Sequence, residues 1–329
     1  MTATDIPDLA DVLAARERIA PYLRPTPLYT YPALDALTGA RLRVKHENHL
    51  PVGAFKVRGG INLISQLGAA ERARGVASAS TGNHGQSIAY AAALFGVRAI
   101  IFVPENANPV KVESMRALGA EIVFHGRDFD DAREQCEKEA VERGYRYIHS
   151  GNEPDLIAGV GTYTVEIIAE RPDTDVVVVP IGGGSGAAGA CIAAKGVRPS
   201  IEVIGVQSAA APAAYRSWRA GALVGDSNST FAEGLATRTA FELPQRILRD
   251  MLDDFVLVSD VDLARATRLM IEKTRNLVEP AGAAALAAVL AEPARFAGRN
   301  VSIVCSGGNI SPAQLVALWP VSDQPAPRQ

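Results

Sequence analysis

The chain of 329 residues is 48% hydrophobic and 21% charged, which is apolar material enough for one large domain or two intertwined ones. A formal net charge of −3, an aromatic share of 6% and the lack of any long basic run exclude nucleic-acid binding through phosphate neutralisation. The first eight residues carry neither a basic nor an apolar stretch, and no window approaches the ~20 apolar residues of a membrane span. Cys136, Cys191 and Cys305 are scattered and form no Cys-x-x-Cys. The expectation is therefore free thiols in a reducing, cytoplasmic compartment, with no signal peptide and no membrane contact.

In chain order, Leu9, Val12, Leu13 and Ile19 predict a helix over 9–20, which Pro21 and then Pro25-Thr-Pro27 end. Arg41–His46 alternates apolar Leu42 and Val44 and reads as a strand. Short runs follow at Val76–Ala79, Ala99–Val103, Glu121–Phe124, Val176–Pro180, 201–206 and 301–304, most of them rich in β-branched residues, as strands buried on both faces are. Helical patterns alternate with them over 85–95, 109–118, 130–143, 156–170, 187–195, 262–276 and 282–290. This alternation predicts an α/β fold with mostly parallel sheets, whose ligands bind at the carboxyl ends of strands. Residues 208–240 read as loop and short helix over the site, and the Pro-rich tail after Pro320 as frayed.

The strand over 176–180 runs into Gly182-Gly-Gly-Ser-Gly-Ala-Ala-Gly189 and then a helix. Glycines let backbone N–H groups converge on an anion, and the helix N-terminus adds partial positive charge, so a phosphate site is expected. The same run contains Gly-x-Gly-x-x-Gly at Gly184, Gly186 and Gly189, the fingerprint of a nicotinamide-dinucleotide oxidoreductase. That reading needs an acidic residue at the end of the next strand, where Gln207 and Ser208 stand instead. A single phosphate is favoured over a pyrophosphate.

Three more loops next to strands carry polar groups: Gly53-Ala-Phe-Lys-Val-Arg-Gly59, opening a helix; Ser80-Thr-Gly-Asn-His-Gly-Gln86; and Ser306-Gly-Gly-Asn309. A lysine at a helix start sits among positive dipole ends, which opposes its protonation, and a neutral lysine can form a Schiff base. With these motifs in this order, from Pro25-Thr-Pro27 to Ser306-Gly-Gly-Asn309, nearly the whole chain resembles the fold-type II, tryptophan synthase beta-like pyridoxal-phosphate (PLP) enzymes of the serine/threonine dehydratase and serine racemase family.

The resemblance implies pyridoxal 5'-phosphate as cofactor and a role for each motif residue. Lys56 carries the Schiff base and moves the Cα proton. Phe55 packs on the ring, Asn83 bonds its phenolic oxygen, and Ser306 faces its pyridine nitrogen. Gly182, Gly183, Gly184, Ser185 and Gly186 cradle the phosphate. Ser80, Thr81, Asn83 and His84 bracket the substrate carboxylate, while Gly234 and Glu279 stand near the site wall. A neutral hydrogen bond at the pyridine nitrogen makes the ring the weaker electron sink, which favours prompt β-elimination over transamination. The implied reaction is α,β-elimination of an L-serine- or L-threonine-type 3-hydroxy amino acid to a 2-keto acid and ammonia.

Some positions depart from the family's pattern. Ala54 stands where serine is common before the lysine motif. Thr81 stands where racemases carry an acid/base serine and many dehydratases an alanine, so a racemase with side elimination is the alternative. After the strand over 201–206 the racemase-like members offer carboxylates to a divalent cation, but Gln207-Ser-Ala-Ala-Ala-Pro-Ala213 offers none, so no metal is expected there. The chain ends soon after Ser306, so feedback through a C-terminal regulatory domain is not expected.

Bland readings fit the other tempting residues. His46-Glu-Asn-His49 is not His-Glu-x-x-His and is not expected to hold a metal; His125 and His149 read as solvated or locally bonded; Cys305 reads as a small buried apolar residue. Arg58, beside Lys56, reads equally as helping to keep the lysine neutral or as forming a salt bridge on the helix. The expected organisation is two three-layer α/β domains closing over the cofactor. The larger spans 1–69 plus 149–329 and the smaller 70–148. The resemblance alone implies a homodimer. A non-catalytic small-molecule binder on the same scaffold is the competing reading from another class.

Overall fold

The structure, a computed structural model, describes residues 5–319, so the tail from Pro320 lies outside the described residues. Helix α1 (Leu9–Ile19) starts from a reciprocal cap, in which the Asp8 carboxylate accepts the Asp11 N–H and the Asp11 carboxylate accepts the Asp8 N–H. Strand β1 (Leu28–Thr30) and helix α2 (Pro32–Thr38) follow the prolines, and Gly39, at φ 69°, turns the chain into β2 (Arg41–His46). A 3-10 turn at Glu47–His49 leads to α3 (Lys56–Ser65) and α4 (Ala69–Arg74). Then β3 (Val76–Ala79), α5 (Asn83–Leu94), β4 (Ala99–Val103), α6 (Pro109–Ala117), β5 (Glu121–Phe124), α7 (Phe129–Arg143) and β6 (Arg146–Tyr147) alternate. The remainder comprises α8 (Pro154–Glu170), β7 (Val176–Pro180), α9 (Ser185–Val197), β8 (Glu202–Ser208), α10 (Ala213–Ala220), α11 (Glu242–Met251), β9 (Asp254–Val258), α12 (Asp260–Thr274), α13 (Pro280–Ala291), α14 (Pro293–Phe296), β10 (Asn300–Cys305) and α15 (Pro312–Ala317).

These strands build two sheets. A six-stranded sheet has the order β1-β2-β10-β7-β8-β9, and a four-stranded sheet the order β5-β4-β3-β6. Every pairing is parallel except β1 with β2, where Leu28 faces Lys45 and Thr30 faces Arg43. The alternation of β-branched runs with amphipathic helices accounts for this, because parallel neighbours need a crossover helix on a sheet face. Val177 and Val179 of β7 pack against α8 and α9 on one face of the large sheet, and Val176 and Val178 against the alanine-rich α13 on the other. Each such valine buried on both faces contributes about 1.5–3 kcal/mol.

Helix α3 lies between the sheets. Its Val57, Ile61 and Ile64 join the core of the four-stranded sheet with Val76, Ile88 and Ile101. Its other side meets α8 backbone to backbone: a Cβ added at Gly159 would lie 2.8 Å from the Gly59 Cα and 2.7 Å from the Arg58 carbonyl oxygen. Below this crossing, Arg58 is fully buried and grips two carboxylates. Its Nε and one terminal nitrogen donate to Glu47 at 2.6 and 2.9 Å, and its terminal nitrogens donate to Glu166 of α8 at 2.6 and 2.8 Å. Lys45 Nζ adds a 2.5 Å bond to Glu166.

Several elements differ from the sequence expectation. β9, with Asp254 as its first residue, and the very short β1 and β6 carry too little periodicity to stand out. Within 208–240, α10 is the short helix that the reading allowed, with Ala214, Tyr215 and Trp218 packed on the core. The 3-10 turn stacks the His46 and His49 rings at 4.8 Å, but Glu47 between them turns inward to Arg58, while His46 bonds the Tyr31 hydroxyl at 2.8 Å. Among the described residues no cluster of three or more His, Cys, Asp or Glu forms a metal-like group.

Candidate active site

One cavity of about 390 Å³ opens at the carboxyl ends of β3, β7 and β10, where parallel sheets place ligands. Phe55, Lys56, Ser80, Thr81, Asn83, His84, Gly182, Gly183, Gly184, Ser185, Gly186, Gly234, Glu279 and Ser306 all line it. Residues spread over 252 positions of sequence thus meet in one space (Phe55 and Ser306 bound the range, differing by 251).

Three helix N-termini converge on the cavity: α3 at Lys56, α5 at Asn83 and α9 at Ser185. Gly182, Gly183 and Gly186 are bare because their neighbours leave no room. A Cβ at Gly182 would collide with the Gly234 carbonyl and one at Gly183 with the Phe241 ring, while Gly184 caps α9 at φ 91°, which favours glycine. The result is a strip of backbone at the start of a 13-residue helix, suited to a phosphate.

Lys56 Nζ reaches this strip, donating to Ser185 Oγ at 2.7 Å and to the Ser150 carbonyl at 3.2 Å. Burial alone lowers its pKa to about 8. Arg58 therefore plays its part as the salt-bridged residue beneath α3 and not as the cause of that shift. The Phe55 ring lies 5.2 Å from the amine and packs edge-on against Tyr163.

Asn83 is fixed on both ends, donating to Glu279 Oε1 at 2.6 Å and accepting from Asn309 Nδ2 at 2.8 Å. Burial raises the pKa of Glu279, partly offset by Lys111 and by the Asn83 bond. His84 bonds Ser78 Oγ through Nε2 at 2.8 Å, and its buried Nδ1 has no partner. Burial and then the nearby Lys56 hold its pKa well below the usual range, so it is a neutral imidazole. Ser80 Oγ accepts the N–H groups of Gly82 and Gly85 and shapes the turn into α5. His149 is locally bonded, accepting from the N–H groups of Gly151 and Asn152. All three cysteines are buried as free thiols; burial pushes Cys136 up to about 12 and Cys305 still higher.

Sequence reasoning missed Lys111, Asn228, Glu233, Thr237 and Phe241, which also line the cavity. Lys111 carried one faint signal. It falls in the first turn of a helix that starts with Pro109, where a cation opposes the helix dipole. Such a misfit is tolerated when a partner outside the helix compensates it, here Glu233 Oε2 at 2.5 Å.

The residues present fit PLP: an amine of lowered pKa, a glycine cradle at a helix N-terminus, an aromatic ring and an anchored asparagine amide share one cavity. Comparison with known proteins agrees. A family model described as pyridoxal-phosphate dependent enzyme matches residues 19–307. The chain is 37% identical over 303 residues to an L-threonine ammonia-lyase of Thermotoga maritima, covering 92% of this chain and 75% of that one. It is 35% identical to an L-threo-3-hydroxyaspartate ammonia-lyase of Saccharomyces cerevisiae, covering 95% and 96%. Among solved structures, maize serine racemase superposes with a TM-score of 0.90 at 31% identity, covering 95% of this chain and 97% of that one.

Proposed function

This chain belongs to the fold-type II, tryptophan synthase beta-like family of pyridoxal-phosphate dependent enzymes, and on that premise we propose that it is an ammonia-lyase. It takes an L-serine- or L-threonine-type 3-hydroxy amino acid, eliminates water across Cα and Cβ, and releases a 2-keto acid and ammonia. The observation that carries the reading is a buried amine, with its pKa lowered to about 8, set 2.7 Å from the serine of a glycine cradle.

In this reading Lys56, Phe55, Asn83, Ser306 and residues 182–186 hold the cofactor, which supplies an electron sink for the pair left at Cα when its proton departs. The helix N-terminus of α5, with Ser80, Thr81, Asn83 and His84, orients the substrate carboxylate. Lys56 Nζ takes the Cα proton, a transfer that its lowered pKa suits near neutral pH. Asn83 keeps its orientation because Glu279 and Asn309 occupy both ends of its amide. The unit of residues 70–148 closes over the larger unit of 1–69 plus 149–329 and excludes water from the reacting carbon.

The Thr81 hydroxyl at the cavity wall favours a second reading, in which it returns a proton to the opposite face of Cα and the enzyme racemises. Its extra methyl restricts χ1 and ranks this second.

The test is an absorbance spectrum of the purified protein with a keto-acid and ammonia assay over a panel of L-3-hydroxy amino acids. Keto acid from one of them, lost in Lys56→Ala, is the expected result. D-amino acid without keto acid would move the assignment to racemisation, and no cofactor absorbance after adding PLP would overturn both.

A further inference from the structure

The start of α5 offers more than helix polarity to an anion. The N–H groups of Asn83 and His84 face no acceptor among the described residues. Lys111 comes down onto the same turn from α6. Its side chain is 7% exposed, and a Cβ added at Gly82, the residue before α5, would lie 3.3 Å from Lys111 Nζ. An ammonium has three protons to donate. One goes to Glu233 Oε2 at 2.5 Å, and no other acceptor lies within hydrogen-bond distance among the described residues, while the buried Glu279 carboxyl is near enough to feel the charge. Glu233 is itself 36% exposed on its side chain and bonded through its other oxygen to Gln314 Nε2 at 2.9 Å.

A half-exposed carboxylate held by a second partner is a replaceable counter-ion. A nearly buried ammonium beside unfilled backbone donors is a built carboxylate site. Resting on the ammonia-lyase reading, we propose that Lys111 supplies the positive charge that binds the carboxylate of the amino-acid substrate, and that Glu233 occupies this charge until substrate arrives. The substrate carboxylate enters at the α5 N-terminus, shares or takes over Lys111, and leaves Glu233 on Gln314. The enzyme then selects for a free carboxylate through a full charge and not through helix polarity alone.

The experiment titrates holoenzyme with glycine and with glycinamide, following the cofactor absorbance. Glycine has amine and carboxylate but nothing to eliminate, and glycinamide lacks the carboxylate. Loss of one charge-assisted hydrogen bond in a buried site weakens binding by about ten- to a hundredfold. In Lys111→Met the Kd for glycine rises by that factor while that for glycinamide changes little, so the preference for the carboxylate collapses. Lys111→Arg, which keeps the charge, restores part of the preference. Glu233→Gln frees the ammonium and leaves glycine binding as tight or tighter. The proposal is overturned if Lys111→Met keeps the wild-type glycine-to-glycinamide ratio. It is overturned equally if Glu233→Gln weakens glycine as much as Lys111→Met does, since the pair would then be a structural tie. If Lys111→Met fails to fold, the Arg and Gln variants decide alone. A wild-type enzyme that yields no keto acid sinks the ammonia-lyase reading without touching this comparison.

Discussion

Replacing Arg58 by methionine removes the one residue that neutralises two carboxylates beneath the reactive lysine. Glu166 keeps Lys45 at 2.5 Å, but Glu47, with a fully buried side chain, is left with the Thr26 hydroxyl at 2.6 Å. In the wild type, burial works against ionisation of Glu166, yet Arg58 and Lys45 outweigh it and hold its pKa below the usual value. Breaking a buried pair from one side costs about 3–5 kcal/mol. A stranded carboxyl can escape this only by taking a proton, at about 1.4 kcal/mol per pH unit above its ordinary pKa of about 4.3, hence about 2 kcal/mol at pH 6 and about 5 kcal/mol at pH 8. Taking up that proton is easiest at low pH, so the variant loses least stability relative to wild type there and progressively more as pH rises. Thermal melts of wild type and Arg58→Met at about pH 6 and about pH 8 should show a gap in Tm that widens with pH. Adding Glu47→Gln to the variant should close most of it. A gap that is constant across pH, or below about one degree, would refute this account of the buried cluster.

Two further outcomes follow from the same geometry. With Lys56 at a pKa of about 8, roughly a quarter of the amine is unprotonated at about pH 7.5, against about one part in a thousand for an ordinary lysine. The rate at which apoenzyme captures PLP covalently should rise through about pH 8 and level off near pH 9, and a rate still climbing at pH 10 would contradict the burial argument. Arg275 is the one non-glycine residue at positive φ among those described, at 58° after α12, and its side chain is exposed. Arg275→Gly should stabilise the protein by about 0.5–1 kcal/mol in a melt, and an unchanged or lowered Tm would show that the left-handed turn carries no strain.

The glycine cradle was legible because its chemistry is local, with a strand, a run of glycines and a helix start within a dozen residues, whereas Lys56 was singled out only by the four loops taken together. The strand runs at Val176–Pro180 and Ala99–Val103 were legible for a similar reason, since parallel strands buried on both faces lose the polar alternation that blurs edge strands. Lys111 and Glu233 were not legible, being 122 residues apart and meeting only because the start of α6 and the turn at Glu233–Leu235 overhang one cavity. Nor were the real partners of Arg58. The expectation allowed a salt bridge on the helix, but the partners are Glu47 on the preceding turn and Glu166, 108 positions away on α8, which the close contact of Gly59 with Gly159 helps bring near. Substrate selection by side chain stays illegible for the same reason, since residues such as Asn228 and Thr237 sit in a stretch with no periodicity to read.

Helix α3 has one more consequence. One of its faces completes the core of the four-stranded sheet, the other is pinned to α8 by a glycine contact and a buried guanidinium, and the reactive lysine is its first residue. The lysine is therefore common property, and neither half of the molecule can present it alone. Fragments divided near residue 69 would each inherit an incomplete wall, the shorter one keeping the amine but missing the packing partners of Val57, Ile61 and Ile64, and the longer one missing the amine. Cofactor capture would then return only when the fragments reassemble, which makes it a sensor for whether the two halves of the fold have found each other.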